Sequence, residues 1–563
     1  MNRRELLASF LGVPFALSAC SSGEPLPPLP EGEIVGASDG IGHLLRDGLK
    51  VEPPAEAWES AGVVIVGGGI AGLAAAWRLL REGFDDFVVL ELERAPGGTS
   101  QSGGRAGAVV PYPWGAHYLP APQKENRALV SLLDEMGVLE GADADGEPVV
   151  AEQFLCRDPE ERVFYRGRWY EGLYLHAGES PEDVAQLESF NAEVDRWAAW
   201  RDARGRRAFS IPVRTCSDDA EVTALDRLTM AEWMRERGFT STRLRWLVDY
   251  ACRDDYGLTA AQTSAWAGLF YFASRMKAPG ADAQSLITWP EGNGRLVAHL
   301  YEKAGARVRL GLAVADIHTP DRNAGGRTEG GGTQAGGGTA VEVVAVGHDG
   351  QSAIGFRAGQ VIFAAPQFLT KYLLRPYREG ACPAHVAEFE YGAWMVANLT
   401  LHDRPRSGFG NFPLAWDNVL YESESLGYVN ATHQRGLDRG PTVFTYYYPL
   451  TDERPREART RLLSIDWKGW AEVTLADLAR AHRDIRALVE RLDVMRWGHA
   501  MIRPRPGFVH GAARAAAQKP FRSVHFAHTD LSGVALFEEA FDHGLRAAEE
   551  VLAARGMNFK SMR

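Results

Sequence analysis

Four consecutive apolar residues, Val63 to Val66, run into the turn Gly67-Gly68-Gly69 and then into a small, apolar stretch that continues to Arg81. An unbroken apolar run of that length predicts a strand buried on both faces, and the stretch after it predicts a helix over 71–81. A second run, Phe87 to Leu90, stops at Glu91. Farther along the pattern changes. The insert from about 151 to 285 carries helix-period stretches such as PEDVAQLESFNAEVDRWAAW and TMAEWMRERG, and residues 391–450 are richer in strand-like runs, among them TVFTYYYPL. Thr319 to Ala340 is poor in apolar residues and rich in glycine, which predicts a flexible surface loop. No internal repeat is evident.

The glycines give the first strand its chemistry. Gly67, Gly69 and Gly72 fit G-x-G-x-x-G at a strand-to-helix turn. Gly67 permits the tight turn, Gly69 admits a pyrophosphate to the backbone, and Gly72 lets helix and strand approach. The first residues of the helix, Ile70 and Ala71, then present free amides and the positive end of the helix dipole to phosphate. Glu91 lies 24 residues after Gly67, near the spacing at which an acid holds an adenosine ribose. The pattern predicts dinucleotide binding.

Composition narrows the partners. A formal charge of −12, with no block of Lys or Arg, argues against nucleic acid, whose binding rests on phosphate neutralisation. At 563 residues the chain is long enough for three or four domains, or fewer if they interleave. The N-terminus has Arg3 and Arg4, an apolar run from Leu6 to Leu17, and small residues before Cys20. The run is too short to span a bilayer as a stable helix and reads as a removable export signal, with an uncleaved anchor as the alternative. Arg3 to Leu7 resembles a twin-arginine signal, and Leu17-Ser18-Ala19-Cys20 resembles a bacterial lipobox. These resemblances imply lipidation at Cys20 and a protein tethered on the periplasmic side of the envelope by the Pro/Ser segment Ser21 to Pro30. The other cysteines, Cys156, Cys216, Cys252 and Cys382, have no metal spacing and read as free core thiols; no metal site is expected. Gly36 to Gly48 is too patterned for a pure tether, and His43 and Arg46 are candidates to pack back on the body.

After Glu91 comes the pair Gly97-Gly98, then Thr99. An acid at the end of the second strand followed by paired glycines resembles the flavin amine oxidase family, and further segments match in that family's order. Gly115-Ala116-His117-Tyr118 resembles the segment beside the isoalloxazine, and Trp289 to Gly294 resembles the turn that re-enters the cofactor domain. Arg307 to Ile317 resembles the strand whose valine, here Val314, holds adenine through its backbone. Val361 to Pro366 and Val524 to Leu552 resemble the closing strand and the terminal strand, turn and helix. The resemblance implies FAD as cofactor and an α/β fold. A Rossmann-type FAD-binding domain would be assembled from discontinuous segments (61–150, 286–370 and 501–563) and interleaved with a mixed α+β substrate domain made of a helical insert (151–285) and a second part (371–500).

The resemblance also implies a reaction, oxidation of a small amine or amino acid by hydride transfer to flavin, and the departures from it matter. Val396 occupies the place of a lysine that many members use to hold a water against the flavin. The final turn reads His528-Thr529-Asp530 where Gly-Glu is usual, and Leu536 stands for a tyrosine of the usual two-ring cage. These departures keep two alternatives open, a flavin dehydrogenase, desaturase or isomerase of an apolar substrate, and a non-catalytic FAD-bound envelope factor. Oxygen, a quinone or a redox protein are the candidate electron acceptors. His117 and His528 are the catalytic candidates, each against a structural reading. Asp530 is assigned to the cofactor or to capping the turn. Of Tyr446, Tyr447 and Tyr448, one or two line the cavity or all pack the sheet. His499 and Arg503 either bind an anionic group or sit in a solvated loop.

Overall fold

The glycine-turn strand, Trp58–Val66, lies inside a seven-stranded sheet. It pairs in parallel with Phe87–Glu91 on one side and Ala353–Phe363 on the other, and Phe87–Glu91 pairs in turn with Val308–Leu310. The long strand Ala353–Phe363 serves two partners along its other edge. Residues 353–358 take the antiparallel strand Val341–Gly347, and residues 361–363 take Val524–Phe526 in parallel. The apolar tetrad Val63–Val66 is buried, as a strand covered on both faces must be. The computed structural model describes residues 27–104, 109–280, 284–320, 340–406, 408, 411–451 and 454–563. The signal, Cys20 and most of the glycine-rich stretch 319–340 lie outside the described residues.

Helix Ile70–Arg81 and the final helix Phe537–Ala554 cover one face of this sheet. They touch through small residues, since a Cβ on Gly544 would sit 2.3 Å from the Ala71 carbonyl oxygen. A second sheet has eight strands in the order Ile34–Gly36, Val489–Ile502, Tyr391–Leu401, Thr442–Leu450, Gly427–Asn430, Asp417–Leu420, Glu161–Tyr165, Arg168–Glu171. Its outer face packs on helix Trp467–Ala479. Helices Pro181–Ala199, Met230–Glu236, Thr242–Tyr256 and Ala265–Ala273 enclose a separate core around Trp197, Trp233 and Trp266. Capping boxes start two of them, Ser180 with Asp183 and Thr229 with Glu232, each satisfying two free amides of the first turn.

Two local expectations change. The segment 151–285 is not purely helical, because ERVFYRGRWYE folds as the hairpin Glu161–Tyr165/Arg168–Glu171 about Arg166-Gly167, both at positive φ, and extends the second sheet. Cys216 and Cys252 are buried thiols, but Cys382 is exposed because it follows a surface turn. The N-terminal extension docks on both sheets. Ile34–Gly36 joins the edge of Val489–Ile502, and helix Asp39–Arg46 buries Ile41 against Ala313, Ala315 and Val346. Ile41 does this packing, whereas Arg46 stays exposed and paired with Asp47.

Candidate active site

The cofactor motifs converge at the C-terminal ends of the parallel strands. Gly69 and Gly97 form a bridge between the glycine turn and the paired-glycine turn, and Gly97 takes φ +116°, which only glycine adopts freely. A Cβ on Gly72 would lie 1.9 Å from the Gly67 carbonyl oxygen, so helix and strand can meet only at glycine; a Cβ on Gly69 would reach nothing nearer than Gly98 Cα at 4.0 Å. Space is kept in front of the helix N-terminus. Ile70 and Ala71 bury their side chains in the core and offer only their first-turn amides to that space. Glu91 accepts hydrogen bonds from the amides of Gly68 at 2.6 Å and Glu93 at 2.7 Å. Burial pushes its carboxyl pKa up while those amides oppose the shift.

The next segments are tied to this cradle through backbone. Ala116 N donates to Thr99 O at 2.9 Å, and Asn293 N donates to Ala116 O at 3.1 Å. Gly115 is required there, since a Cβ would fall 2.2 Å from Thr99 O. Val314 lies in the strand Leu312–His318 beside a register shift, where the ladder is interrupted and backbone groups become available to a ligand. On the opposite wall, Asp530 is fully buried. Its Oδ2 accepts from Tyr391 OH at 2.5 Å and Gln367 N at 2.8 Å. Among the described residues its Oδ1 has no hydrogen-bond partner, and neither do Gln367 Nε2 and Asn293 Oδ1. Glycines that keep a cleft open, a carboxylate at its end and buried polar atoms left for a ligand fit FAD.

Beyond Gly115 the chain builds an aromatic chamber. Tyr447 donates its hydroxyl to Gly115 O at 2.9 Å, and its ring lies 4.8 Å from that of His117. Trp416 and Tyr118 complete the surround at 5.5 and 5.1 Å from the imidazole. Burial lowers the His117 pKa to about 4, so the ring is neutral at physiological pH. Deeper in the chamber stand Tyr250, Tyr271, Glu161, Asp254 and Asp417. Burial dominates the titration of each of these five groups, placing them deep in the protein. Glu161, Asp254, Asp417 and Tyr271 nevertheless keep accessible surface, which must therefore belong to an internal space. Burial and mutual repulsion raise Glu161 to about 8 and Asp254 to about 7, and hold Asp417 well above the carboxylate range. A separate open cleft of about 330 Å³ includes Trp246, whose ring stacks on Tyr250.

His117 and Tyr447 thus meet, but His528 does not join them. Its Nδ1 accepts from Asp530 N at 3.3 Å and lies 2.8 Å from Asp530 Oδ1, out of line for a hydrogen bond, so the ring caps its own turn. Tyr446 and Tyr448 point to the other face, toward Asp477 and Glu424. Val396 is buried on the chamber face with Trp394 and Tyr447, and Leu536 packs into the helical core. His499 is exposed but belongs to the strand Val489–Ile502 and stacks on Phe368 at 4.1 Å, and Arg503, just past that strand, is buried beside Glu390 and donates its amide to Glu390 O, so neither lies in a solvated loop. The acidic group Glu161, Asp254 and Asp417 escaped sequence reasoning because three distant segments supply it, and no local spacing marks it.

A sheet with a parallel core, this glycine turn and terminal acid, and a second, chamber-bearing sheet define a dinucleotide-dependent oxidoreductase. The chain belongs to the flavin-containing amine oxidoreductase family, whose family model matches residues 70–552. It is 28% identical over 530 residues to the protein named "Putative flavin-containing monoamine oxidase AofH" of Mycobacterium tuberculosis, covering 87% of this chain and 96% of that one. Among solved structures, wild-type putrescine oxidase bound to putrescine superposes with a TM-score of 0.61 at 18% identity. Cyclohexylamine oxidase from Brevibacterium oxydans superposes with 0.60 at 17%; each comparison covers 88% of this chain and all of the other. The protein is an FAD-dependent oxidoreductase acting on a small molecule.

Proposed function

We propose that the protein oxidises a small amine, with the C–H bond that is broken held in the box formed by His117, Tyr447 and Trp416. The observation that carries this reading is the neutrality of that box. His117 is uncharged, Tyr447 donates its hydroxyl to backbone, and the rings about the imidazole are those of Tyr118, Trp416 and Tyr447. A neutral amine is the form able to give up hydride, and an apolar, aromatic site favours it over its ammonium. FAD, when bound, supplies the hydride acceptor. The chain's part is to orient the substrate carbon and exclude water. An amino acid fits less well, because the chamber's guanidinium, Arg275, already holds both oxygens of Asp255 through Nη2 at 2.8 and 2.9 Å, and a substrate carboxylate would have to sit beside that like charge. The similarity to amine oxidases supports the same reading.

Val396 supports an electron acceptor other than oxygen, namely a quinone or redox protein, since no lysine stands on the chamber face of its strand. Lipidation at Cys20 and a periplasmic position would bring such an acceptor within reach. The experiment is anaerobic mixing of purified, FAD-loaded protein with a panel of primary amines, amino acids and apolar alcohols. Bleaching of the flavin absorbance by amines is expected; bleaching only by an amino acid or an apolar substrate would overturn the proposal.

A further inference from the structure

The deep end of the chamber gathers more carboxyl groups than the protein pairs with cations. Glu161 and Asp417 are register partners on adjacent parallel strands, so their side chains leave the same face of the sheet about 5 Å apart. Asp254 approaches from helix Thr242–Tyr256, one turn after Tyr250, whose hydroxyl donates to Asp417 Oδ2 at 3.3 Å. Glu160 and Asp255 border the group. Against these five carboxyl groups stands the guanidinium of Arg275, whose Nη2 donates to both oxygens of Asp255 and to Tyr118 OH at 3.1 Å and whose charge also reaches Glu161 and Asp254. Arg253 points away, to Asp249 and the carbonyls of Ser423 and Glu424. Among the described residues the carboxyl groups of Glu161 and Asp254 have no hydrogen-bonding or ion-pairing partner. An independent observation marks the same space. Among the described residues the Tyr271 hydroxyl also lacks a hydrogen-bond partner; it faces Asp254, Asp255 and Glu161, while its ring lies under the Arg275 guanidinium at 4.3 Å.

We infer that Glu161, Asp254 and Asp417 form a subsite for a second, positively charged group of the substrate, so that the preferred substrate is an α,ω-diamine or longer polyamine. The inference rests on the amine-oxidation reading and names its substrate class. Unpaired carboxyl groups in a water-poor interior are costly, and an ammonium with three donors offsets that cost. Tyr447 connects the two ends, since it stacks on His117 and also feels the charges of Asp417 and Asp254. One end of the chamber thus prefers a neutral amine and the other a charged one. A diamine supplies both in one molecule, reacting at the neutral end while the ammonium at the other anchors it. A metal ion is not favoured, because no group of carboxylates, histidines or cysteines among the described residues has metal-binding geometry.

The test compares 1,4-diaminobutane with n-butylamine in anaerobic flavin reduction, using wild type, Glu161→Gln, Asp254→Asn and Asp417→Asn. The wild-type ratio of kcat/KM, diamine over monoamine, is expected to exceed a hundred, and each substitution should lower it ten- to a hundredfold. An unchanged ratio in all three variants overturns the subsite. Calorimetric binding of n-butyltrimethylammonium, which cannot be oxidised as an amine, gives a second readout: it should bind wild type and be lost in Glu161→Gln. If neither amine reduces the flavin but this cation still binds in a Glu161-dependent way, amine oxidation fails and the cation subsite survives. If both amines react equally well, the oxidation reading stands and the subsite falls. Binding of Mn²⁺ instead of the organic cation, lost in the same variants, would overturn the assignment to a diamine.

Discussion

At the scale of single residues, two glycines three positions apart do different work. Gly72 is a packing requirement, because any Cβ meets the Gly67 carbonyl oxygen at 1.9 Å. Gly72→Ala should destabilise the fold by about 4 kcal/mol or more, the range reserved for backbone conflicts in a core. Gly69 has ordinary φ and open space in front of it. Gly69→Ala should fold within about 1 kcal/mol of wild type, yet bind FAD roughly tenfold more weakly, about 1.4 kcal/mol. Denaturant unfolding of apoprotein and FAD titration separate the two effects; a Gly69→Ala protein with full FAD affinity would show that the cofactor does not approach there. The same distinction applies to Glu91. Its spacing marked it as a ribose ligand, but it also accepts two backbone amides, so a change there alters the turn as well as the cofactor contact.

At the scale of an element, the strand Tyr391–Leu401 decides which side chains meet the chamber. Ala393, Met395 and Ala397 face the outer core, while Trp394 and Val396 face Tyr447 and Trp416. Position 396 is therefore on the face where a lysine could act. In Val396→Lys, reduced flavin should reoxidise with oxygen at least tenfold faster, with substrate-driven reduction changed less. The buried ammonium will be driven down in pKa by desolvation, so FAD content and the melting temperature must be checked alongside. Fast reoxidation of the wild-type protein by oxygen would remove the reason to seek another acceptor. The final turn is an element of the same kind. Asp530 ties it to Tyr391 and Gln367, and His528 caps it, which explains how the turn keeps its shape without the usual Gly-Glu pair.

At the scale of the whole molecule, the buried acids make stability depend on pH. Glu161 near 8 and Asp254 near 7 retain protons that an unfolded chain would release near pH 4. Their share of stability is present below about pH 4 and is lost as pH rises towards 8, because the folded state binds more protons across that window. The charges facing Glu161 are those of Glu160, Asp254, Asp417 and Arg275, with Tyr271 beside them. Glu161→Gln should raise the melting temperature of ligand-free protein more at pH 8 than at pH 5; an equal effect at both would mean that Glu161 does not titrate in the interval. Attachment to the envelope is tested on the intact precursor. Cys20→Ser should move the protein from the membrane to the soluble fraction, and a wild-type N-terminus recovered uncleaved would refute the signal.

The sequence by itself determined the cofactor cradle, because a phosphate-binding turn is local. Gly67 to Gly72 and Glu91 are set by short-range backbone geometry, and their spacing survives any arrangement of the rest. It also determined the strands and helices with strong periods, such as Thr442–Leu450 and Pro181–Ala199. Only the tertiary structure decided which tyrosine of the triple enters the chamber, since a strand's pleat fixes alternation but not which face is inward. It alone brought Glu161, Asp254 and Asp417 together. Those three acids come from a hairpin, a helix and a strand spread over nearly half the chain, and their shared meaning is a cluster of unpaired acids that exists only once the chain has closed around it.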